Sequence, residues 1–397
     1  MNPAPLSALD FQNTQFAFEY KSDADLQKSY LLFSTMQSNW LVKMGPKLVN
    51  LAFRLHFPID FLLKSFLFNQ FCGGTTLEET ILRSKQLYKY KVRTVLDYSV
   101  EGEKNEQGFQ DCAKEIIKMI DFAQKYEEIA FVALKITGIG SFQLLEKKQL
   151  NKPFSQLEEK QWNALQDRLN TICAKAAASN QPVFIDAEES WIQDAIDDLA
   201  EEMMRLYNKE KPLIYTTAQM YRHDRLQYVQ SLVAQSKTEG YIPAIKIVRG
   251  AYLEKENERA QKLRYPTPMQ SSKKNTDDDY NAAIRFCLEN IDSVAICAGT
   301  HNEESCRYVT ALLHEKGIPE NHPFVSLSQL FGMSDHLSFN LAKHGYNVSK
   351  YLPYGPLRSV LPYLFRRAEE NTSIAGQTGR ELRLIEKEIA RRKGKKQ

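Results

Sequence analysis

The chain has 397 residues, of which 43% are hydrophobic and 25% are charged. This length suits one large domain with an extension, or two ordinary domains, and the apolar residues are numerous enough for a substantial core. The net charge of +3 comes from 52 basic and 49 acidic residues, a balance that argues against nucleic acid as a partner.

The first residues lack the basic region and apolar run of a secretory signal. Asp10, Glu19, Asp23 and Asp25 are also unlike a mitochondrial transit peptide, which is rich in arginine and poor in acids. We therefore expect a cytoplasmic protein.

Residues 1–90 are predicted to form a mostly helical N-terminal arm, with breaks at Pro46 and Pro58. The longest apolar stretch of the arm, residues 48–72, is interrupted by charged residues and by proline. It is therefore not expected to span a membrane.

From about residue 92, short apolar runs alternate with longer amphipathic stretches, and this pattern repeats eight times. The predicted strands are residues 94–98, 129–135, 183–186, 213–216, 244–248, 294–298, 324–327 and 348–352. The predicted helices lie near residues 110–125, 158–178, 190–208, 224–239, 277–290, 302–316, 335–344 and 357–369.

Eight strand–helix units predict an α/β protein with a (βα)₈ barrel of the TIM type rather than an open doubly wound sheet. No Gly-x-Gly-x-x-Gly motif follows any predicted strand, so a dinucleotide-binding sheet has little support. We expect the N-terminal arm at residues 1–90, the barrel at residues 91–385 and a solvated basic tail at residues 386–397.

Polar residues stand at nearly every predicted strand end, which in a barrel of this kind is the side of the active site. They are Asp97, Tyr98, Lys135, Asp186, Thr217, Gln219, Arg249, Thr300, His301, Asn302, Gln329 and Tyr351. One or two such residues could be structural caps, but so many predict a lined pocket.

After the last predicted strand, Tyr363, Arg366, Arg367 and Glu370 recur at helical spacing, which places them on one helix face. If this last helix lies over the barrel mouth, the two guanidinium groups can each bind a carboxylate or phosphate through two hydrogen bonds. The alternative is a solvated helix with a surface pair between Arg366 and Glu370.

The segment from Tyr351 to Asn371, with Tyr351-Leu-Pro-Tyr-Gly before Tyr363-Leu-Phe-Arg-Arg and Glu370-Asn, resembles the signature of the proline dehydrogenase family. Further motifs of that family appear in the same order: Leu96-Asp-Tyr-Ser-Val, Asp186-Ala-Glu-Glu, Lys246-Ile-Val-Arg-Gly-Ala-Tyr, Thr300-His-Asn and Gln329-Leu-Phe-Gly-Met-Ser-Asp. The resemblance covers about residues 20–385 and points to the monofunctional, eukaryotic-like branch.

The resemblance implies oxidation of L-proline to 1-pyrroline-5-carboxylate with non-covalent FAD, the first step of proline degradation to glutamate. By position, Arg366 and Arg367 bind the proline carboxylate, with Glu370 beside them and the flavin. Three further residues face the substrate: Lys135 and, around the ring, Tyr351 and Tyr363.

The resemblance also assigns a set of cofactor-binding residues: Asp186, Ala187, Gln219, Lys246, Arg249, Gly250, Ala251, Tyr252, Thr300, His301 and Asn302. Asp186, Lys246 and Arg249 are in addition the predicted catalytic residues. Many bacterial members have arginine where this chain has Lys246, which keeps the charge but not the planar fork. Instead of a catalytic role, Lys246 could have that of a structural cation. Instead of binding the cofactor, His301 could be a structural hydrogen-bond donor or an acid–base group.

Electrons are expected to pass to a membrane quinone, so peripheral contact with the inner membrane stays open as an alternative to a purely cytoplasmic location. Residues 48–72 could lie on a bilayer surface, but we favour packing of this segment on the barrel. The product is expected to pass to a separate pyrroline-5-carboxylate dehydrogenase.

No metal site is expected, because the chain has no His-Glu-x-x-His motif and its six cysteines form no Cys-x-x-Cys pair, which favours reduced thiols. Two other functions stay open. One is a hydroxyproline dehydrogenase on the same scaffold, and the other is a barrel that binds without catalysis.

Overall fold

The computed structural model describes residues 9–99, 105–373 and 377–394. Eight parallel strands form a closed barrel in chain order, which confirms the predicted (βα)₈ barrel. The strands are β1 (Val92–Tyr98), β2 (Ile129–Lys135), β3 (Val183–Asp186), β4 (Ile214–Gln219), β5 (Ala244–Val248), β6 (Ala295–Gly299), β7 (Val325–Leu330) and β8 (Val348–Tyr354).

Among the described residues, seven helical segments precede the barrel: α1 (Thr14–Phe18), α2 (Asp23–Met36), α3 (Asn39–Arg54), α4 (Asp60–Leu63), a π-helical turn (Lys64–Phe68), α5 (Asn69–Phe71) and α6 (Leu77–Tyr88). Within and after the barrel lie α7 (Glu106–Ala123), α8 (Ile136–Ile139), α9 (Phe142–Gln149), α10 (Gln156–Ala178), α11 (Ser190–Tyr207), α12 (Arg225–Glu239), α13 (Leu253–Leu263), α14 (Lys273–Glu289), α15 (Glu303–Glu315), α16 (Asp335–Lys343), α17 (Leu357–Ser373) and α18 (Gln377–Gly394).

The barrel strands are buried along nearly their whole length, as expected for parallel strands covered by helices. In β2 every residue from Ile129 to Leu134 is buried, and only the final Lys135 is partly exposed. The register places Lys135 beside Asp186 and Thr217 beside Lys246. The polar residues therefore stand at matching levels on neighbouring strands.

Three expectations about helices were wrong. Helix α3 continues through Pro46, although a proline inside a helix removes one backbone hydrogen bond. The helix that carries the two arginines is α17, but it is followed by α18, so it is not the last. Residues 386–394 were expected to be a solvated tail, whereas they belong to α18; residues 395–397 lie outside the described residues.

Two arginines at the basic end of α18 have buried or partly buried partners. Arg391 and Arg392 both bond to Glu388, which is fully buried. Arg392 also donates to Asp23 and to the carbonyl oxygen of Phe18, at 2.9 and 2.8 Å. These bonds tie the C-terminal helix to α1 and α2.

The packed residues divide into two compact units. The first is formed by residues 1–101 with 329–397, and the second by residues 102–328. The apolar core of the first unit includes Phe18, Phe33, Phe71, Met333 and Leu364. The boundaries predicted at residues 90 and 385 were read from changes in the sequence pattern, and the two compact units are divided at other residues. The predicted domain boundaries therefore stay a prediction.

The described helices include none with both the length and the apolar character that a membrane span requires.

Candidate active site

In the second unit, Asp186 at the end of β3 forms an ion pair with Lys246 of β5. The two side chains are only 13% and 9% exposed. A buried charge needs a partner, because water no longer solvates it. The ammonium group of Lys246 also lies 4.9 Å from the centre of the Phe184 ring. Lys246 is therefore paired and nearly buried at the level where β3 ends.

Arg249, just after β5, is the centre of a second polar group. Its Nε donates to Asp277 at 2.6 Å, and its two terminal nitrogens donate to Thr300 and Ser305 at 2.7 and 2.9 Å. The guanidinium plane lies 4.4 Å from the centre of the Tyr280 ring. Burial raises the pKa of Asp277, but hydrogen bonds from Lys273 and Arg249 outweigh this, and the pKa is lowered. Arg249 thus ties the end of β5 to α14 and α15.

The loop after Arg249 requires glycine. Gly250 has φ +133°, and a Cβ atom there would lie 2.5 Å from the Tyr221 ring. The backbones of Gly250 and Ala251 are exposed, while Tyr252 is partly buried. A ligand can therefore approach the main chain of this loop closely.

Gln219, at the end of β4, is buried and links two loops. Its amide nitrogen donates to the carbonyl oxygen of Glu188 at 2.7 Å, and its amide oxygen accepts from the backbone of Ala251 at 3.4 Å. Ala187, between Asp186 and Glu188, is also buried.

The Thr300-His301-Asn302 segment follows β6. The Thr300 hydroxyl accepts from the backbone of Asn302 at 3.0 Å, in addition to its bond from Arg249. The Asn302 side chain caps α15 by accepting from the backbone of Ser305 at 3.1 Å. His301 is partly exposed beside them. In this structure Thr300 and Asn302 fix the start of the helix.

A residue that the sequence did not assign, Glu188, lies at the same strand ends. Its carboxylate accepts from both the backbone N–H and the hydroxyl of Thr137. Burial raises the pKa of Glu188 to about 7, and the positive charge of Lys135 opposes that rise. The motif Asp186-Ala-Glu-Glu could have identified Glu188 as a candidate site residue, because acids that closely follow a barrel strand lie on the side of the active site.

In the first unit, α17 carries the predicted carboxylate-binding residues. Tyr363 and Arg367 are both buried, and the guanidinium group of Arg367 lies 5.1 Å from the centre of the Tyr363 ring. Arg366 is partly exposed. Glu370 belongs to the helix, but its side chain lies outside the described residues. The helical spacing expected for these four residues is present.

Tyr351 lies in β8, beside Val95 of β1. Its carbonyl oxygen accepts from the backbone of Phe331 at 2.9 Å, and its side chain is partly exposed. Phe331 belongs to the Gln329-Leu-Phe-Gly-Met-Ser-Asp motif.

That motif ends at a buried charged group that the sequence did not reveal. Asp335 accepts from Tyr20 at 2.7 Å and pairs with Lys350 and Lys21 at 2.9 and 3.3 Å. Lys350 is completely buried. Burial raises the pKa of Asp335, but the two lysines outweigh this and lower it to about 2. Asp335 therefore joins the N-terminal arm to β8.

The donors of the second unit fit a flavin dinucleotide, the cofactor that the resemblance implies. Such a ligand needs a positive charge near its flavin ring, an amide group at the ring edge and close approach to the main chain. Lys246, Gln219 and the exposed Gly250 loop provide these features. Among the described residues, no group of three or more His, Cys, Asp or Glu side chains is arranged to hold a metal ion.

The profile of the family described as "Proline dehydrogenase" matches residues 80–380. Proline dehydrogenase 1, mitochondrial, of Dictyostelium discoideum is 31% identical, and the match covers 96% of this chain and 74% of that protein. Hydroxyproline dehydrogenase of Xenopus laevis is 28% identical, with 94% of this chain and 88% of that protein covered.

Among solved structures, proline utilization A of Bdellovibrio bacteriovorus superposes with a TM-score of 0.71 at 20% identity. The match covers 91% of this chain but only 38% of that larger protein, and at this identity it supports the fold alone. The family profile and the Dictyostelium relative decide the assignment. The chain therefore belongs to the proline dehydrogenase family of oxidoreductases.

Proposed function

We propose that the protein oxidises L-proline to 1-pyrroline-5-carboxylate with non-covalent FAD, the first step in degrading proline to glutamate. One observation carries the proposal: the family match at residues 80–380 contains every predicted site residue, from Lys135 to Glu370. When bound, FAD takes up the hydride equivalent from the proline carbon next to nitrogen. The protein's part is to bind and orient the substrate.

In this proposal Arg366 and Arg367 bind the proline carboxylate, because guanidinium groups match the two oxygens of a carboxylate. The stacking of Arg367 on Tyr363 supports this role, since it limits the orientations of one guanidinium group. Tyr351, Tyr363 and Lys135 complete the substrate side, and Glu370 stays a prediction outside the described side chains.

On the cofactor side, Lys246 would supply a positive charge near the flavin, and its ion pair with Asp186 fixes its position. Gln219 and the Gly250 loop would bind the cofactor directly. Thr300 accepts from both Arg249 and the backbone of Asn302 in the structure, which favours a role of these residues in shaping the site. Tyr252, His301, Ala187 and Ala251 stay predicted contacts.

The test is anaerobic mixing of the purified, flavin-loaded protein with L-proline. We expect the flavin absorption to bleach. Arg366→Met and Arg367→Met should each require about 10-fold or more proline for half-bleaching, since each removes a charged hydrogen bond worth ~1.5–3 kcal/mol. If both variants bleach with unchanged proline affinity, the assignment of the carboxylate site is wrong.

Hydroxyproline is the second candidate substrate, because the Xenopus relative bears that name. Turnover of L-proline against 4-hydroxyproline separates the two, and a large preference for the latter would replace our proposal. A barrel that only binds ligands predicts a colourless protein that gains nothing from added FAD.

We further propose that electrons pass to a quinone and that the arm touches the membrane surface. Residues 48–72 were expected to pack on the barrel, but only part of the segment is buried. Phe68 and Phe71 lie in the core, whereas Phe61 is 78% exposed and Leu55 and Phe57 are 59% and 58% exposed. Exposed Arg54 and Lys64 nearby would attract anionic lipid headgroups.

Sedimentation with phosphatidylcholine–phosphatidylglycerol vesicles tests this contact. Phe61→Ser should reduce the bound fraction, while Leu157→Ser, a change at a residue 66% exposed in the second unit, should not. Equal sedimentation of both variants and the parent protein would remove the membrane proposal.

The product is proposed to pass to a separate pyrroline-5-carboxylate dehydrogenase. The cytoplasmic location also stays a prediction, and the Dictyostelium relative is named mitochondrial.

A further inference from the structure

Glu188 is a buried carboxylate for which the proposed reaction has no use. It lies two residues beyond β3 and is only 4% exposed. Burying a carboxylate is unfavourable unless its charge and its hydrogen-bonding capacity are used. The partners of Glu188 therefore indicate what it does.

The side chain of Glu188 fixes the turn that follows Lys135. One oxygen accepts from the backbone N–H of Thr137 at 3.0 Å, and the other accepts from the Thr137 hydroxyl. Thr137 lies two residues after Lys135, in the first turn of α8. The carboxylate thus holds the backbone from which the Lys135 side chain extends, and Lys135 is close enough for its charge to act on Glu188.

The backbone of Glu188 fixes a second predicted site residue. Its carbonyl oxygen accepts from the Gln219 amide at 2.7 Å, and Gln219 in turn accepts from the backbone of Ala251. Its N–H donates to Gln193 at 2.8 Å, which keeps the loop in place. One residue therefore connects the ends of β2, β3, β4 and β5.

We propose that Glu188 is a positioning residue that holds the Lys135 side chain oriented toward the carboxylate of the substrate. This inference rests on the proposed function, because the substrate-facing role of Lys135 comes from it. The positive charge of Lys135 and the negative charge of Glu189 both act on the Glu188 carboxylate. Glu189 is paired with Lys255, so Lys135 is the cation left to respond to Glu188.

The first experiment compares Glu188→Gln with Glu189→Gln, a matched change of the next buried acid in the same loop. Glu188→Gln should raise the KM for proline about 10-fold with a smaller change in kcat, as expected when a binding group shared by ground and transition states is weakened. Glu189→Gln should stay within about 3-fold of the parent KM, because its partner Lys255 is largely exposed.

A double-mutant cycle then separates positioning from general damage. In a Lys135→Met background, Glu188→Gln should change KM by less than about 2-fold, because the group through which it acts is gone. A full 10-fold effect in that background would show that Glu188 acts independently of Lys135 and would overturn the inference.

A third measurement needs no proline, so its result does not depend on whether the protein oxidises proline. Limited acetylation followed by peptide mass spectrometry measures how fast the Lys135 amine reacts at fixed pH. In Glu188→Gln only one of the two acceptors of Thr137 is left, so the turn that carries Lys135 is held less firmly and Lys135 should label faster than in the parent protein. Unchanged labelling would refute the inference even if proline bleaches the flavin, whereas faster labelling without bleaching would refute only the proposed function.

Discussion

Gly332, in the motif before α16, offers a sharp test of how the arm is joined to the end of β7. Its φ is +79°, and a Cβ atom there would lie 1.9 Å from the carbonyl oxygen of Gln70. That contact is far inside van der Waals distance, and the clashing atom is backbone, which cannot rotate away. Gly332→Ala must therefore displace one of the two chain segments.

The size of the effect has two parts. An alanine forced into the left-handed region costs ~1–2 kcal/mol. The displacement also breaks the hydrogen bond from the Gln70 amide to the Gly332 carbonyl oxygen, 2.7 Å long, and an unsatisfied buried group costs ~1–3 kcal/mol. Together these give a loss of about 2–5 kcal/mol in the free energy of unfolding.

Gly345 is the matched control. Its φ is +88°, but a Cβ atom added there would meet no other atom within 4 Å. Gly345→Ala should therefore lose only the backbone contribution of ~1–2 kcal/mol. Urea unfolding compares the two variants, and hydrogen–deuterium exchange should show faster exchange around Gln70 in Gly332→Ala alone. Equal stability losses and unchanged exchange at Gln70 would refute the reasoning.

Two further predictions concern charged side chains. Burial raises the pKa of Glu381 to about 7, with the negative charge of Asp335 adding to the rise and Lys350 and Lys21 opposing it. Because the pKa in the folded state lies above the ordinary 4.5, the stabilisation is present below pH 4.5 and is lost as pH rises through 7. Glu381→Gln should remove up to about 3 kcal/mol of that pH dependence, measured by urea unfolding from pH 4.5 to 8; an unchanged profile would contradict the assignment. Arg249→Lys cannot reproduce three separate hydrogen bonds, so FAD affinity should fall about 10-fold in a fluorescence titration, while the exposed Arg285→Lys should match the parent protein.

The barrel was predictable because its strands are continuous apolar runs that end in polar residues. The limits of β2, β3 and β5 agree with the sequence prediction. At β4 the strand runs on to Gln219, beyond the predicted end at residue 216, because Gln219 is buried and still pairs with Val248 of β5. A polar residue that finds buried partners cannot be told from a loop residue by hydrophobicity alone.

The predicted site residues came from strand ends and from the family resemblance, but two positions of consequence were not assigned. Glu188 and Asp335 are acids in motifs that the sequence displays, yet their roles depend on partners far along the chain. Asp335 bonds to Tyr20, 315 residues away. At Pro46 the local sequence was misleading instead of silent: its low helix propensity predicted a break, but the helix continues.

The bond between Arg392 and Asp23 joins residues 369 positions apart, within a unit built from both ends of the chain. Such a unit cannot be completed during synthesis until almost the whole chain has left the ribosome. The apolar side chains of α1 and α2 must wait uncovered while the intervening residues are made, and closing so long a loop is slow. We therefore expect the second unit to acquire structure first and the newly made N-terminal arm to depend on chaperones until α18 arrives.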